Sequence, residues 1–173
     1  MKEIVKYGFT LGLICFISSS VLVAVHAVTA PKISQAREKG EQAALKEALP
    51  DCVDFKACME DGKISYYRGV DSSGNLKGFV VISSGKGYSS DIQVMAGLNT
   101  NLEIINVKIL SQDETPGLGS RVTSPEFLGQ FKGKVADNFE GVQAISGATI
   151  SSNAVIKPLK EKIANLKEKL QAK

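Results

Sequence analysis

Residues 91–110 read Asp91-Ile92-Gln93-Val94-Met95-Ala96-Gly97-Leu98, then Asn99-Thr100-Asn101, then Leu102-Glu103-Ile104-Ile105-Asn106-Val107-Lys108-Ile109-Leu110. Ile92, Val94 and Ala96 alternate with Gln93 and Met95, the two-residue period of a strand with one buried face. Asn99-Thr100-Asn101 supplies turn residues between two such runs, so the stretch predicts a β-hairpin. Upstream, residues 64–70 and 76–83 flank Asp71-Ser72-Ser73-Gly74-Asn75, which carries the same signal. Gly85-Lys86-Gly87-Tyr88 reads as a loop. Two hairpins in succession predict a mainly antiparallel sheet.

Helical patterns surround these strands. Residues 34–49 read as a helix capped by Ser34, with Ala43, Ala44, Leu45, Ala48 and Leu49 on its apolar side and Pro50 as its stop. Ser124-Pro125-Glu126 starts a short helix, with Ser as cap and Pro at the first position. A last helix is expected from near Ser151 to Gln171. Ile156, Leu159, Ile163, Leu166 and Leu170 form its stripe at steps of three and four. Pro158 predicts a kink there, or a start nearer Lys157. Residues 111–122 and 135–144 read as irregular. The fold class is therefore α+β, a mainly antiparallel sheet with flanking helices, preceded by one N-terminal transmembrane helix.

That first helix rests on residues 7–31, which carry no charge unless His26 is protonated. At ~1.5 Å per residue the run spans a hydrocarbon core of ~30 Å. It exceeds the apolar core of most signal peptides, so an uncleaved anchor is expected. Lys2 and Lys6 precede it, and Lys32, Arg37 and Lys39 follow, so the charge bias orients it only weakly. The very short N-terminus favours an N-in arrangement. The expected organisation is an anchor over 1–31, a juxtamembrane helix over 32–50 and an extracytoplasmic domain over 51–173.

The chain has 173 residues and a formal net charge of +3, too small a balance to argue for nucleic acid. Its Lys-rich end alternates with Glu161 and Glu168, the pattern of a solvated helix face. Cys15 lies in the apolar run. Cys52 and Cys58 are close in sequence, and a short-loop disulfide and two free thiols both stay open. The single histidine is in the anchor, so no zinc site is expected. No Ser-His-Asp set, recognisable carboxylate pair or Walker loop is present.

The chemistry concentrates at Ser146-Gly147-Ala148-Thr149. Thr149 alone, just before a helix, reads as an N-cap. The same position is where a helix binds phosphate, through free N–H groups and its dipole. Gly147 and Ala148 are small and allow close approach. Glu114-Thr115-Pro116-Gly117-Leu118-Gly119 reads by itself as a Pro-Gly turn leaving a strand. Gly85-Lys86-Gly87-Tyr88 lacks the third glycine and the context of a dinucleotide fingerprint.

Together, the hydroxyl-Gly-Ala-Thr motif, the Glu-Thr-Pro-Gly-Leu-Gly stretch, the Gly-Lys-Gly-Tyr loop and the anchor resemble the FMN-binding domain family. Their order and spacing look like the G-type component of the Rnf complex, which passes electrons between ferredoxin and NAD while moving ions across a membrane. The resemblance implies a phosphoester of FMN on Thr149, within a motif of Ser146, Gly147 and Ala148. It implies Glu114 and Thr115 as hydrogen-bond partners of polar ring atoms and Leu118 as packing on a ring face. Gly87 and Tyr88 become a ring- or phosphate-side loop, with Tyr88 stacking. One departure is Gln143, where family members commonly carry Asp.

The implied partners are other membrane, iron–sulfur and flavin subunits of the Rnf complex, with a flavin transferase using FAD and Mg²⁺ for attachment. The implied location is the bacterial cell membrane, with the domain outside the cytoplasm. Such a chain serves as an electron-transfer subunit with little activity alone. Three alternatives stand beside it. One is the C-type component of a sodium-translocating NADH:quinone reductase, usually a longer chain. The others are an anchored flavin reductase and a flavin-free binding domain.

Overall fold

In the computed structural model, which describes residues 2–60 and 63–171, five strands follow one another in sequence and in space. They are β1 (Asp54–Glu60), β2 (Lys63–Val70), β3 (Leu76–Lys86), β4 (Asp91–Asn99) and β5 (Ile104–Ser111). All neighbours are antiparallel, in the order β1-β2-β3-β4-β5. Both expected hairpins are present. Asp71 Oδ1 accepts from the N–H groups of Ser73 and Asn75, each at 2.9 Å, and fixes the β2–β3 turn. Asn99 Oδ1 does the same for Asn101 at 2.9 Å and Glu103 at 3.0 Å. Short polar side chains here replace backbone partners that a turn cannot provide.

The sheet is buried on both faces, whereas the alternation in residues 91–98 predicts one. On one face Val81, Ile92, Val94, Ala96 and Leu98 pack against Val155, Leu159, Ile163 and Leu166 of α3 (Thr149–Gln171). Phe127 of α2 (Pro125–Gly129) and Phe131 close this core, ring edge to ring face at 5.4 Å. Fully burying Leu159 or Ile163 contributes about 1.5–3 kcal/mol each. On the other face Tyr67, Val80 and Met95 pack against Ala44, Leu45, Ala48, Leu49 and Cys52. Met95 is the inward residue of a second, smaller core.

Two glycines seat the covering helices. Gly97 faces the end of α1 (Lys2–Ala48), where an added Cβ would lie 2.1 Å from the Ala48 carbonyl oxygen. Gly85 faces α3 on the opposite side, where a Cβ would lie 2.1 Å from the Ala154 oxygen and 2.7 Å from Pro158 Cγ. Both carbonyls lack the donor that a helix interior supplies four residues on. Ala48 ends its helix, and Pro158 has no N–H to offer four residues after Ala154. Each of these carbonyls lies over a strand position without a side chain. Pro158 therefore sits inside an unbroken α3, and neither restarts it nor shifts its start to Lys157.

Two compact units divide the chain, Met1–Gly40 and Glu41–Lys173. In the first, Lys6–Ile33 is long and apolar enough to cross a membrane, at 28 residues. α1 is continuous through Pro31 and position 34, so the separate helix capped by Ser34 does not exist. In the second unit, Leu49 N–H donates to the Leu45 carbonyl at 3.1 Å and Pro50 stops the helix as expected. Cys52 and Cys58 are free thiols. Cys52 lies against Gly69, while Cys58 pairs with Tyr66 three residues along β2, about 10 Å away at ~3.3 Å per residue. That separation is beyond disulfide reach.

Candidate functional site

Three segments meet beside the first turn of α3. The first is the β3–β4 turn, closed by Gly87 N–H donating to the Ser90 carbonyl at 2.8 Å. The second follows β5. There Leu118 and Ser120 N–H groups donate to the Thr115 carbonyl at 3.2 Å, and Gly117 takes a positive φ of 78°. The third is the turn of residues 145–148, closed by Ala148 N–H to the Ile145 carbonyl at 2.9 Å. Gly147 is the third residue of that turn, at φ 79°, a conformation an L side chain resists.

Ser152 holds this last turn in place. It is fully buried, and its hydroxyl accepts from Ile145 N–H at 3.0 Å and donates to the Ala148 carbonyl at 2.9 Å. The first intrahelical bond of α3 is Ser152 N–H to the Ala148 carbonyl. The N–H groups of Thr149, Ile150 and Ser151 therefore precede the ladder. Thr149 is exposed, and its hydroxyl makes no hydrogen bond among the described residues. It is the first residue of the helix and does not cap it. Helix and cap are thus mismatched in the way that leaves donors and a hydroxyl available to an anion.

The segments enclose a cleft of about 420 Å³, lined by Tyr88, Glu114, Thr115, Leu118, Gly119 and residues 147–151. That volume is in the range of small-molecule sites. Tyr88, Leu118 and Ile150 are exposed large side chains at its rim. Of the residues named from sequence, Thr149, Gly147, Ala148, Glu114, Thr115, Leu118 and Tyr88 all line it. Ser146 is exposed in the adjoining turn, outside the lining. Gly87 is buried behind it, where a Cβ would come within 2.5 Å of Glu114 Oε1. Gln143 is held through its backbone, its N–H donating to Gln130 Oε1 at 2.7 Å.

Glu114 is buried, and its carboxylate is fully engaged. Oε1 accepts from Ser89 N–H at 2.9 Å and Ser90 N–H at 3.0 Å. Oε2 accepts from Tyr88 N–H at 3.2 Å and from the Ser151 hydroxyl. A carboxylate offers about four lone-pair sites, and these four donors occupy them. Burial pushes the Glu114 pKa up, but the Ser151 hydroxyl and the three N–H groups outweigh it, and the net shift is downward. The side chain expected to hydrogen-bond a ligand instead ties the β3–β4 turn to the start of α3. Sequence reasoning misses Ser151 and Ser152, because two serines ahead of the apolar stripe look like ordinary first-turn residues.

Comparison with known proteins agrees with this geometry. Residues 87–164 match the family model of the FMN-binding domain, and residues 1–48 match that of the RnfG N-terminal region. The chain is 38% identical to the G component of the ion-translocating oxidoreductase complex of Methanosarcina acetivorans, covering 91% of this chain and 92% of that one. It is 32% identical to the G component of the proton-translocating ferredoxin:NAD(+) oxidoreductase complex of Clostridium ljungdahlii, covering 88% and 86%. The Na(+)-translocating counterpart from Acetobacterium woodii is 31% identical, covering 87% of each. A solved structure of the C component of the Na(+)-translocating NADH-quinone reductase of Parabacteroides distasonis shares the fold at a TM-score of 0.50 and 24% identity. That match covers 60% of this chain and 61% of the other.

Proposed function

The chain belongs to the RnfG family of ion-translocating oxidoreductase components, and from that premise we propose that it relays electrons through FMN held as a phosphoester on Thr149. The observation that carries the attachment is the unbonded Thr149 hydroxyl at the uncapped start of α3, opening on the 420 Å³ cleft. The N–H groups of the first turn face an anion there, and the helix dipole favours it. Gly147 leaves the backbone open to the phosphate and to the enzyme that installs it. Leu118 and Tyr88 offer apolar and aromatic surface to a ring system, and Thr115 offers a hydroxyl.

Bound FMN supplies the electron-accepting and electron-donating chemistry. The protein contributes position, a tether and an electrostatic setting. Tethering keeps the group at high local concentration where a free one is lost by dilution. No substrate-handling set accompanies the cleft among the described residues, so the chain acts inside a complex and has little activity alone. Its partners are the other membrane, iron–sulfur and flavin subunits of an Rnf complex, and a flavin transferase loads it.

Residues 1–31 form the anchor and 32–50 the juxtamembrane stretch, with 51–173 on the extracytoplasmic side of the cell membrane. Whole-length identity to the G components favours this over the C component of a quinone reductase, for which the likeness is one of fold. The test is peptide mass spectrometry of the full chain co-produced with a flavin transferase. The expected result is an FMN adduct on the peptide containing Thr149. An unmodified Thr149 in a chain that is yellow, or a colourless chain, would overturn the attachment.

A further inference from the structure

Glu114 is the one carboxylic acid among the described residues lining the cleft, and no lysine, arginine or histidine joins it there. Its four partners are neutral donors, three N–H groups and a hydroxyl. None of the ion pairs among the described residues includes it. A carboxylate with every lone pair accepting a proton donor stays ionised, and it has no acceptor left for a ligand. The neighbouring glycines show how closely the wall is built around it. A Cβ at Gly87 or at Gly119 would lie within 2.6 Å of a Glu114 oxygen.

We infer that Glu114 is a positioning residue that acts on the cleft's redox group by its fixed negative charge, holding down that group's affinity for electrons. This rests on the flavin reading of the cleft. A buried charge in a partly dehydrated site is screened less than one in water. Electrons added to the cleft arrive beside a carboxylate that no cation neutralises, so the reduced state is disfavoured. The same four hydrogen bonds hold the charge at one place, between the β3–β4 turn and the first turn of α3. Charge and latch are separable, because Ser151 contributes to the latch and carries no charge.

The experiment is a redox titration, followed by visible absorbance, of the flavin-loaded full chain in detergent. Wild type, Glu114→Gln and Ser151→Ala are compared, with loading checked by intact mass. Glu114→Gln is expected to raise the potential. At a fixed potential the reduced-to-oxidised ratio rises about tenfold, equivalent to 59 mV for a one-electron couple. Ser151→Ala, which weakens the latch and keeps the charge, is expected to stay within about threefold of wild type, well inside that tenfold step. Equal shifts in both variants, or none in a loaded Glu114→Gln, would overturn the inference. Where Glu114→Gln takes up no flavin, Glu114→Asp keeps the charge on a shorter side chain that cannot reach all four donors. Its potential must then stay within about threefold of wild type, and a tenfold rise in the reduced-to-oxidised ratio would overturn the inference. Absence of flavin from the wild-type chain would defeat the cofactor reading instead, and so the two failures are distinct.

Discussion

Ser151, two residues into α3 from Thr149, donates its hydroxyl to Oε2 of Glu114, which lies 37 residues earlier in the chain. The bond joins the helix that begins at the proposed attachment motif to the segment that leaves β5. Through Oε1 the same carboxylate holds Ser89 and Ser90 of the β3–β4 turn. One buried side chain therefore fixes the relative positions of all three segments that form the cleft. Its removal is felt as lost hydrogen bonds and as lost register between the walls.

The first prediction concerns acid. The folded Glu114 pKa lies below the ordinary carboxylate value, so its contribution to stability is complete above the unfolded value of about 4.3. It is lost as pH falls through the lower, folded value. Glu114→Gln is expected to cost about 2 kcal/mol near pH 7, since buried N–H groups lose a charged acceptor. The difference from wild type should narrow as pH drops below about 4, where the unfolded carboxyl takes up its proton first, and level off once pH has passed the lower, folded value. Urea denaturation of both proteins across pH measures this. A constant gap would mean that Glu114 is not the titrating group.

Ser152 organises the motif without being part of it. Ser152→Ala leaves Ile145 N–H without its acceptor in a half-buried position, at a cost of about 1 kcal/mol. The turn carrying Gly147 then loosens while Thr149 itself is untouched. Flavin incorporation in cells with a transferase is expected to fall several-fold relative to wild type at equal protein level. In-gel flavin fluorescence normalised to protein reads it directly. Undiminished fluorescence would show that the transferase does not need the turn held.

Gly85 and Gly97 give a packing test on opposite faces. Either change to Ala places a methyl group 2.1 Å from a helix carbonyl, so a backbone must move. Each is expected to destabilise by about 1–3 kcal/mol. Because the sites lie on separate faces and share no partner, the double variant should lose close to the sum. Strong non-additivity would mean that the two cores are mechanically coupled through the sheet.

The hairpins are legible in the sequence because turn chemistry at Asp71 and Asn99 agrees with the flanking periodicity. β1 is not. Asp54–Glu60 is an edge strand that leaves most of its side chains exposed, so it carries no alternation to detect. The second buried face of β4 is hidden for another reason. Its covering surface is the end of α1, and the residue facing it, Met95, sits at the position that a half-buried strand gives to solvent. The expected start of α3 falls two residues late because a threonine before a helix reads as a cap. Here Thr149 is in the helix and its hydroxyl is free. The cleft residues are legible as motif segments. Their joining is not, since Glu114 and Ser151 meet only once the sheet has formed.

Topology is the next expectation. Lys6–Ile33 is long and apolar enough to cross a membrane, and the proposed extracytoplasmic side of the folded unit is open to a direct test. Protease added to right-side-out vesicles is expected to remove residues 51–173, and inverted vesicles are expected to protect them. Complete protection in the first and digestion only in the second would reverse the orientation. Dilution would then no longer favour a covalent tether.

Thr149→Val separates attachment from architecture. Valine keeps the shape of threonine, and the position is exposed with no hydroxyl partner to lose, so stability should change by less than about 0.5 kcal/mol. The folded unit and its anchor should therefore assemble with the other subunits in normal amount, while in-gel flavin fluorescence at this chain disappears. Membranes carrying that complex are expected to lose ferredoxin-dependent NAD reduction to background, because a series of carriers fails when one member is missing. Thr149→Ser keeps a hydroxyl at the helix start and should restore both fluorescence and activity in part. Full activity in the flavin-free complex would assign the chain a role in assembly, with the electrons passing elsewhere.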